Sequence, residues 1–123
     1  MPKVLIIEDD QPYRKVYTRK FEIAGYTVAT AENGASGIEK ARAEKPDIIF
    51  TDLMMPQMDG FQVLDKLKGD DALKAIPVVV LTNLSTSEDA DRVLQKGAAA
   101  ILVKSNTEPQ AIVDTATELL GKH

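Results

Sequence analysis

Four short, uninterrupted apolar runs punctuate this sequence: Val4-Leu5-Ile6-Ile7, Ile48-Ile49-Phe50, Val78-Val79-Val80-Leu81 and Ile101-Leu102-Val103. A strand with one wet face alternates apolar and polar residues, so continuous runs predict strands covered on both faces. The segment Tyr26 to Ala31 (YTVATA) alternates better and predicts a more exposed edge strand. Helical periods fill the gaps between these runs. Tyr13, Val16, Tyr17, Phe21 and Ala24 fall on one face of a helix closed by Gly25, with Asp10 as its N-cap ahead of Gln11-Pro12. A second helix follows Asn33-Gly34 through Ala35, Ile38 and Ala41 and stops before Pro46. A third carries Val63, Leu64 and Leu67 after the Asp59-Gly60 turn. The fourth is expected to start at a Ser85-x-x-Glu88 capping box, to use Ala90, Val93 and Leu94, and to end at Gly97. The last is expected to begin at Thr107-x-x-Gln110 and to present Ile112, Ala116, Leu119 and Leu120. Strand then helix, five times over, predicts an α/β fold. Its parallel sheet lies between helix layers joined by right-handed crossovers.

Composition narrows the chemistry. At 123 residues, the chain suits one domain spanning 1–123. It contains no cysteine, which excludes disulfides, thiolate metal sites and Cys nucleophiles and favours a cytoplasmic location. The only histidine is His123, the last residue, so a buried His base or a His ligand is excluded. No apolar run approaches the length of a bilayer span, and no signal peptide is evident, so no membrane association is expected. The net charge of -4, with basic residues scattered, argues against direct nucleic-acid binding.

Ligands of open parallel sheets bind beyond the carboxyl ends of the strands. Here the runs end in Glu8-Asp9-Asp10, Asp52, Thr82 and Lys104. Two carboxylates about 5 Å apart repel by roughly 3 kcal/mol at an effective dielectric near 20. Glu8, Asp9 and Asp52 beside one Lys104 therefore imply either a protonated carboxyl or a bound cation. All-oxygen ligands suit Mg²⁺. A magnesium ion, an ammonium and a hydroxyl around a carboxylate form an environment for phosphoryl transfer, with Asp52 as nucleophile, Lys104 neutralising charge and Thr82 donating a hydrogen bond. Taken singly, each residue has a plainer reading. Asp52 suits a cap or turn, Thr82 a strand end, and Lys104 a side chain reaching solvent. Met54, Met55 and Met58 read as gap-filling residues of an apolar loop.

The run Asp52-Leu53-Met54-Met55-Pro56-Gln57-Met58-Asp59-Gly60, taken with Glu8-Asp9, Thr82 and Lys104 in order, resembles the receiver domains of two-component response regulators. The resemblance spans essentially the whole chain, and it implies a flavodoxin-like doubly wound sheet of order 2-1-3-4-5 with five helices. It also implies that Asp52 takes phosphate from a histidine kinase or phosphotransfer protein. Asp9, Asp52 and the Met54 backbone carbonyl would bind Mg²⁺, with Glu8 assisting through water. Because nothing follows the domain, the chain resembles the stand-alone receivers, which act by binding a partner; a downstream protein target and a monomer or weak homodimer are expected.

The sequence departs from the family pattern at several places. Ile101 stands where many receivers carry an aromatic, and Ser105 replaces the proline after the lysine, predicting a trans Lys104–Ser105 peptide. Asn83 is larger than the usual Ala or Gly. Met54 and Leu84, two residues beyond Asp52 and Thr82, offer an attacking water no side-chain hydrogen bond, which predicts slow hydrolysis of an aspartyl phosphate. The missing aromatic and the missing proline motivate a competing reading, a pseudo-receiver scaffold that binds partners without phosphorylation, although all the site residues remain. A haloacid-dehalogenase-type phosphatase would want a second acid at Met54, and a flavodoxin would want a glycine- and hydroxyl-rich loop after the first strand.

Overall fold

In the computed structural model, which describes residues 2–83 and 86–121, the predicted alternation is realised in full. The elements are β1 (Lys3–Ile7), α1 (Gln11–Ile23), β2 (Thr27–Ala31), α2 (Gly34–Glu44), β3 (Ile48–Asp52), α3 (Gly60–Lys68), β4 (Val78–Thr82), α4 (Ser87–Gln95), β5 (Ala100–Val103) and α5 (Pro109–Leu119). A short 3₁₀ turn, Lys104–Asn106, precedes α5. All strand pairs are parallel, in the order β2-β1-β3-β4-β5. Among the described residues no helix is long and apolar enough to cross a membrane.

The continuous apolar runs serve two cores at once, because successive side chains point to opposite faces of the sheet. Leu5, Ile7, Ile49, Val78 and Val80 face one core, packed by Ile38 and Ala41 of α2, Val63, Leu64 and Leu67 of α3 and Val93 of α4. Val4, Ile6, Ile48, Phe50, Val79 and Leu81 face the other, covered by Tyr17 and Phe21 of α1 and by Ile112, Val113 and Ala116 of α5. The strand run at Ile101-Leu102-Val103 is a correction. Its continuous pattern predicts cover on both faces, but β5 lies at the sheet edge and is only half-buried. In the same way Val16 is 44% exposed, and Ala24, Ala35, Leu94 and Leu119 also face outward rather than into the core. A helix buries a narrower stripe than its full apolar content.

Local capping chemistry sets most helix starts. The Asp10 side chain accepts the Tyr13 N–H at 3.2 Å, and Asn33 accepts that of Ser36 at 2.8 Å. Asp59 and Gln62 form a reciprocal capping box at 2.9 and 3.0 Å. Each cap contributes about 1 kcal/mol. At α4 the cap is Thr86, accepting the Asp89 N–H at 3.0 Å. The expected box began one residue earlier, at Ser85, which lies outside the described residues. Thr107 does not cap α5 either. That helix starts at Pro109 after Glu108, which makes no side-chain cap bond.

Candidate functional site

The strand order brings the polar strand ends together. β1 and β3 are neighbours, so Glu8 and Asp9 come beside Asp52, and β4 and β5 follow with Thr82 and Lys104. Glu8, Asp52, Thr82 and Lys104 are all buried, whereas Asp9 stands exposed at the rim. The Glu8 backbone is tied down on both sides. Its N–H donates to the Ala31 carbonyl at 3.0 Å, and its own carbonyl accepts from Arg14 Nη1 at 2.7 Å. Glu8 Oε2 accepts the Asp10 N–H at 3.1 Å. Lys104 reaches back from the sheet edge to the centre. Its Nζ lies 2.6 Å from Glu8 Oε1, 3.1 Å from Asp52 Oδ2 and 4.1 Å from the centroid of the Tyr13 ring.

Burial pushes the Glu8 carboxyl up from its ordinary 4.5, and the neighbouring Asp52 charge adds to the rise. Hydrogen bonds from Lys104 and from the Asp10 N–H pull it back only partly, leaving Glu8 at about 7. For Lys104, burial works against the charge, but the hydrogen bond to Glu8 and the fields of Asp52 and Glu8 outweigh it and raise its pKa. The cluster thus carries more negative charge than one ammonium satisfies. Carboxylate oxygens of Glu8, Asp9 and Asp52 all lie within 4.8 Å of one another. Three hard oxygen donors around unmet negative charge fit a small divalent cation.

A crevice of about 270 Å³ opens over this cluster, bounded by Asp9, Asp52, Met54, Asn83, Tyr13 and Lys104. Met54 is 55% exposed there, so it does not fill a gap as expected, whereas Met55 is buried and Met58 packs on the core. The β3–α3 connection owes its shape to Gly60, whose N–H donates to the Leu53 carbonyl at 2.8 Å. A Cβ on Gly60 would lie 2.7 Å from the Asp52 carbonyl oxygen and 2.8 Å from Leu53 Cα, both backbone atoms. The Asp59-Gly60 pair is therefore more than a turn. It lets the start of α3 press directly against the backbone of Asp52.

Two features escaped the sequence. Tyr13, placed there only as an apolar helix residue, presents its ring to Lys104. Asn83 Oδ1 accepts the Ser105 N–H at 2.8 Å, tying the loop after β4 to the loop after β5. Ser105 makes this possible, because the proline usual in that place has no N–H to give. The signal was present in the two departures, Asn83 and Ser105, read together. The Lys104–Ser105 peptide is trans. Leu84 lies outside the described residues.

Comparison with known proteins agrees with this geometry. A family model described as the response regulator receiver domain matches residues 4–116. The chain is 34% identical over 122 residues to the polar-differentiation response regulator DivK of Brucella anthropi, covering 98% of each chain. The structure of the Vibrio cholerae chemotaxis protein CheY4 superposes with a TM-score of 0.90 at 30% identity, covering 96% of this chain and 98% of that one. The signal receiver domain of a signal transduction histidine kinase from Syntrophus aciditrophicus gives 0.89 at 30% identity, covering 98% and 91%. Sheet order, clustered strand-end carboxylates and matches along nearly the full length lead to one conclusion: the chain belongs to the response regulator receiver domains, the phosphoacceptor domains of two-component signalling.

Proposed function

We propose that Asp52 is the residue phosphorylated, that residues 1–123 act as one receiver unit in the cytoplasm, and that phosphorylation changes the binding of a downstream protein target. The observation that carries this reading is the position of Asp52. It sits at the carboxyl end of central β3, with Oδ2 3.1 Å from the Lys104 ammonium and the oxygens of Glu8 and Asp9 within 4.8 Å. The donor is a phosphohistidine of a histidine kinase or phosphotransfer protein. An Asp52 oxygen forms the new bond to phosphorus as the P–N bond breaks, and the electron pair goes to the imidazole nitrogen, which takes up a proton.

Asp9, Asp52 and the Met54 backbone carbonyl would hold Mg²⁺, with Glu8 supporting from the buried side. Bound there, the ion would neutralise charge developing on the phosphoryl oxygens. Lys104 supplies a second positive charge, and the buried Thr82 hydroxyl stands at the neighbouring strand end to donate to a phosphoryl oxygen. Met54, at the mouth, has no side-chain group to orient an attacking water, so slow hydrolysis belongs to this reading. Met54→Asn is expected to shorten the lifetime of the phosphoprotein, measured by loss of label after the donor is removed. The scaffold alternative, motivated by Ile101 and Ser105, is the less favoured reading, since every strand-end group remains in place.

Incubation with acetyl phosphate and Mg²⁺ tests the proposal. One phosphate, stable in acid and labile in base, should appear by intact mass and be absent from Asp52→Asn. A protein that takes up no phosphate, or an Asp52→Asn variant that takes it up equally, would refute it.

A further inference from the structure

Lys104 and Tyr13, together with Asp10, line two cavities rather than one. The first is the crevice over Asp52. The second, about 410 Å³, lies between α1 and the segment leading into α5 and is also lined by Val16, Tyr17 and Pro109. The Tyr13–Lys104 contact is thus a wall shared by the two. The ammonium at this wall, 2.6 Å from Glu8 and 3.1 Å from Asp52, can lean inward to Asp52 or outward into the second cavity.

The ring face at 4.1 Å opposes the outward path. An aromatic face attracts a cation through its quadrupole without being a hydrogen-bonding anion, so it holds Lys104 without competing for phosphate. That property matters at one moment. When an Asp52 oxygen becomes bonded to phosphorus, the carboxylate loses its negative charge, and the lysine must exchange that partner for a phosphoryl oxygen. Tyr13 is itself fixed from behind. Tyr17, one helical turn on, lies with its ring centroid 5.7 Å away at 31° and is anchored in the core.

We propose that Tyr13 is a positioning residue for phosphoryl transfer, its ring face keeping the Lys104 ammonium on the Asp52 side while the lysine changes partners. This rests on the reading of Asp52 as phosphoacceptor. Replacement of the ring by an apolar chain of similar reach removes the quadrupole and leaves the packing. Tyr13→Phe keeps the ring.

Two measurements on the full chain decide it. In proteins labelled at lysine, the ε-methylene protons of Lys104 should show a ring-current shift to high field in wild type and Tyr13→Phe, lost in Tyr13→Leu and Tyr13→Met; this needs no phosphate. Phosphorylation by acetyl phosphate forms the Asp52 oxygen–phosphorus bond as the phosphorus–oxygen bond to the acetyl group breaks, with acetate leaving on the electron pair. Its maximal rate constant should stay within about twofold in Tyr13→Phe and fall about tenfold in Tyr13→Leu and Tyr13→Met, with the Mg²⁺ concentration for half-maximal rate nearly unchanged. Leu and Met variants as fast as wild type, or a Phe variant as slow as they are, would overturn the role of Tyr13 alone. A wild-type protein that takes up no phosphate would overturn the phosphoacceptor reading and this inference with it.

Discussion

Tyr17 shows how a single atom can stand against the fold around it. Its ring is buried in the core under α1, yet its hydroxyl has no hydrogen-bond partner among the described residues. A buried, unpaired polar group costs roughly 1–3 kcal/mol. Tyr17→Phe is expected to raise the unfolding free energy by about 1 kcal/mol in urea titration with an unchanged denaturant slope. A loss of stability instead would mean that the hydroxyl is satisfied. Glu8 is opposed by its surroundings in a different way. Its pKa rises from 4.5 to about 7 on folding, so the folded state binds the proton more tightly than the unfolded chain. The stability from this group is complete below pH 4.5 and is lost as pH rises through about 7. Without divalent ions, Glu8→Gln should therefore gain stability relative to wild type between pH 5 and pH 8. A difference that stays constant across that range would contradict it. The sequence already exposed this tension, since adjacent acids after a buried run are costly without a counter-ion. It did not show that Lys104 would sit 2.6 Å from Glu8, because no spacing rule links positions so far apart.

At the scale of elements, the bond between Asn83 and Ser105 joins the segments that follow Thr82 and Lys104. Ser105→Pro removes the donor and Asn83→Ala the acceptor. Each should cost about 1 kcal/mol in urea titration, and the double variant little more than either single one, since the second change finds nothing left to break. Fully additive losses would show that the two side chains act separately. Element boundaries were less legible than the elements themselves. Ser85-Thr86-Ser87 offers three consecutive hydroxyls ahead of Glu88-Asp89, so several registers satisfy the same capping rule, and only the backbone path selects Thr86. The Asp59-Gly60 start of α3 was legible as a turn. Its close approach to the Asp52 carbonyl was not, because a contact between backbones leaves no pattern of polar and apolar residues.

For the whole molecule, the alternation of runs established a parallel α/β sheet but not which run lies where. β5 has the composition of a central strand and occupies an edge. Strand order came only with the family resemblance, and the site followed from that order, since order decides which strand ends meet. Binding of Mg²⁺ should act on the same whole. At ten times its dissociation constant, the ion is expected to stabilise the fold by about 1.4 kcal/mol. That stabilisation, measured by thermal unfolding, should increase as pH rises toward 7, because proton and metal compete for Glu8. A shift in unfolding temperature that ignores pH would remove Glu8 from the ion's surroundings. The ion pair from Lys104 to Glu8 joins residues 96 positions apart and is closed by the last strand of the sheet. During synthesis on the ribosome, the acidic residues therefore emerge long before their ammonium. A nascent chain must carry that uncompensated charge until its final strand has cleared the exit tunnel.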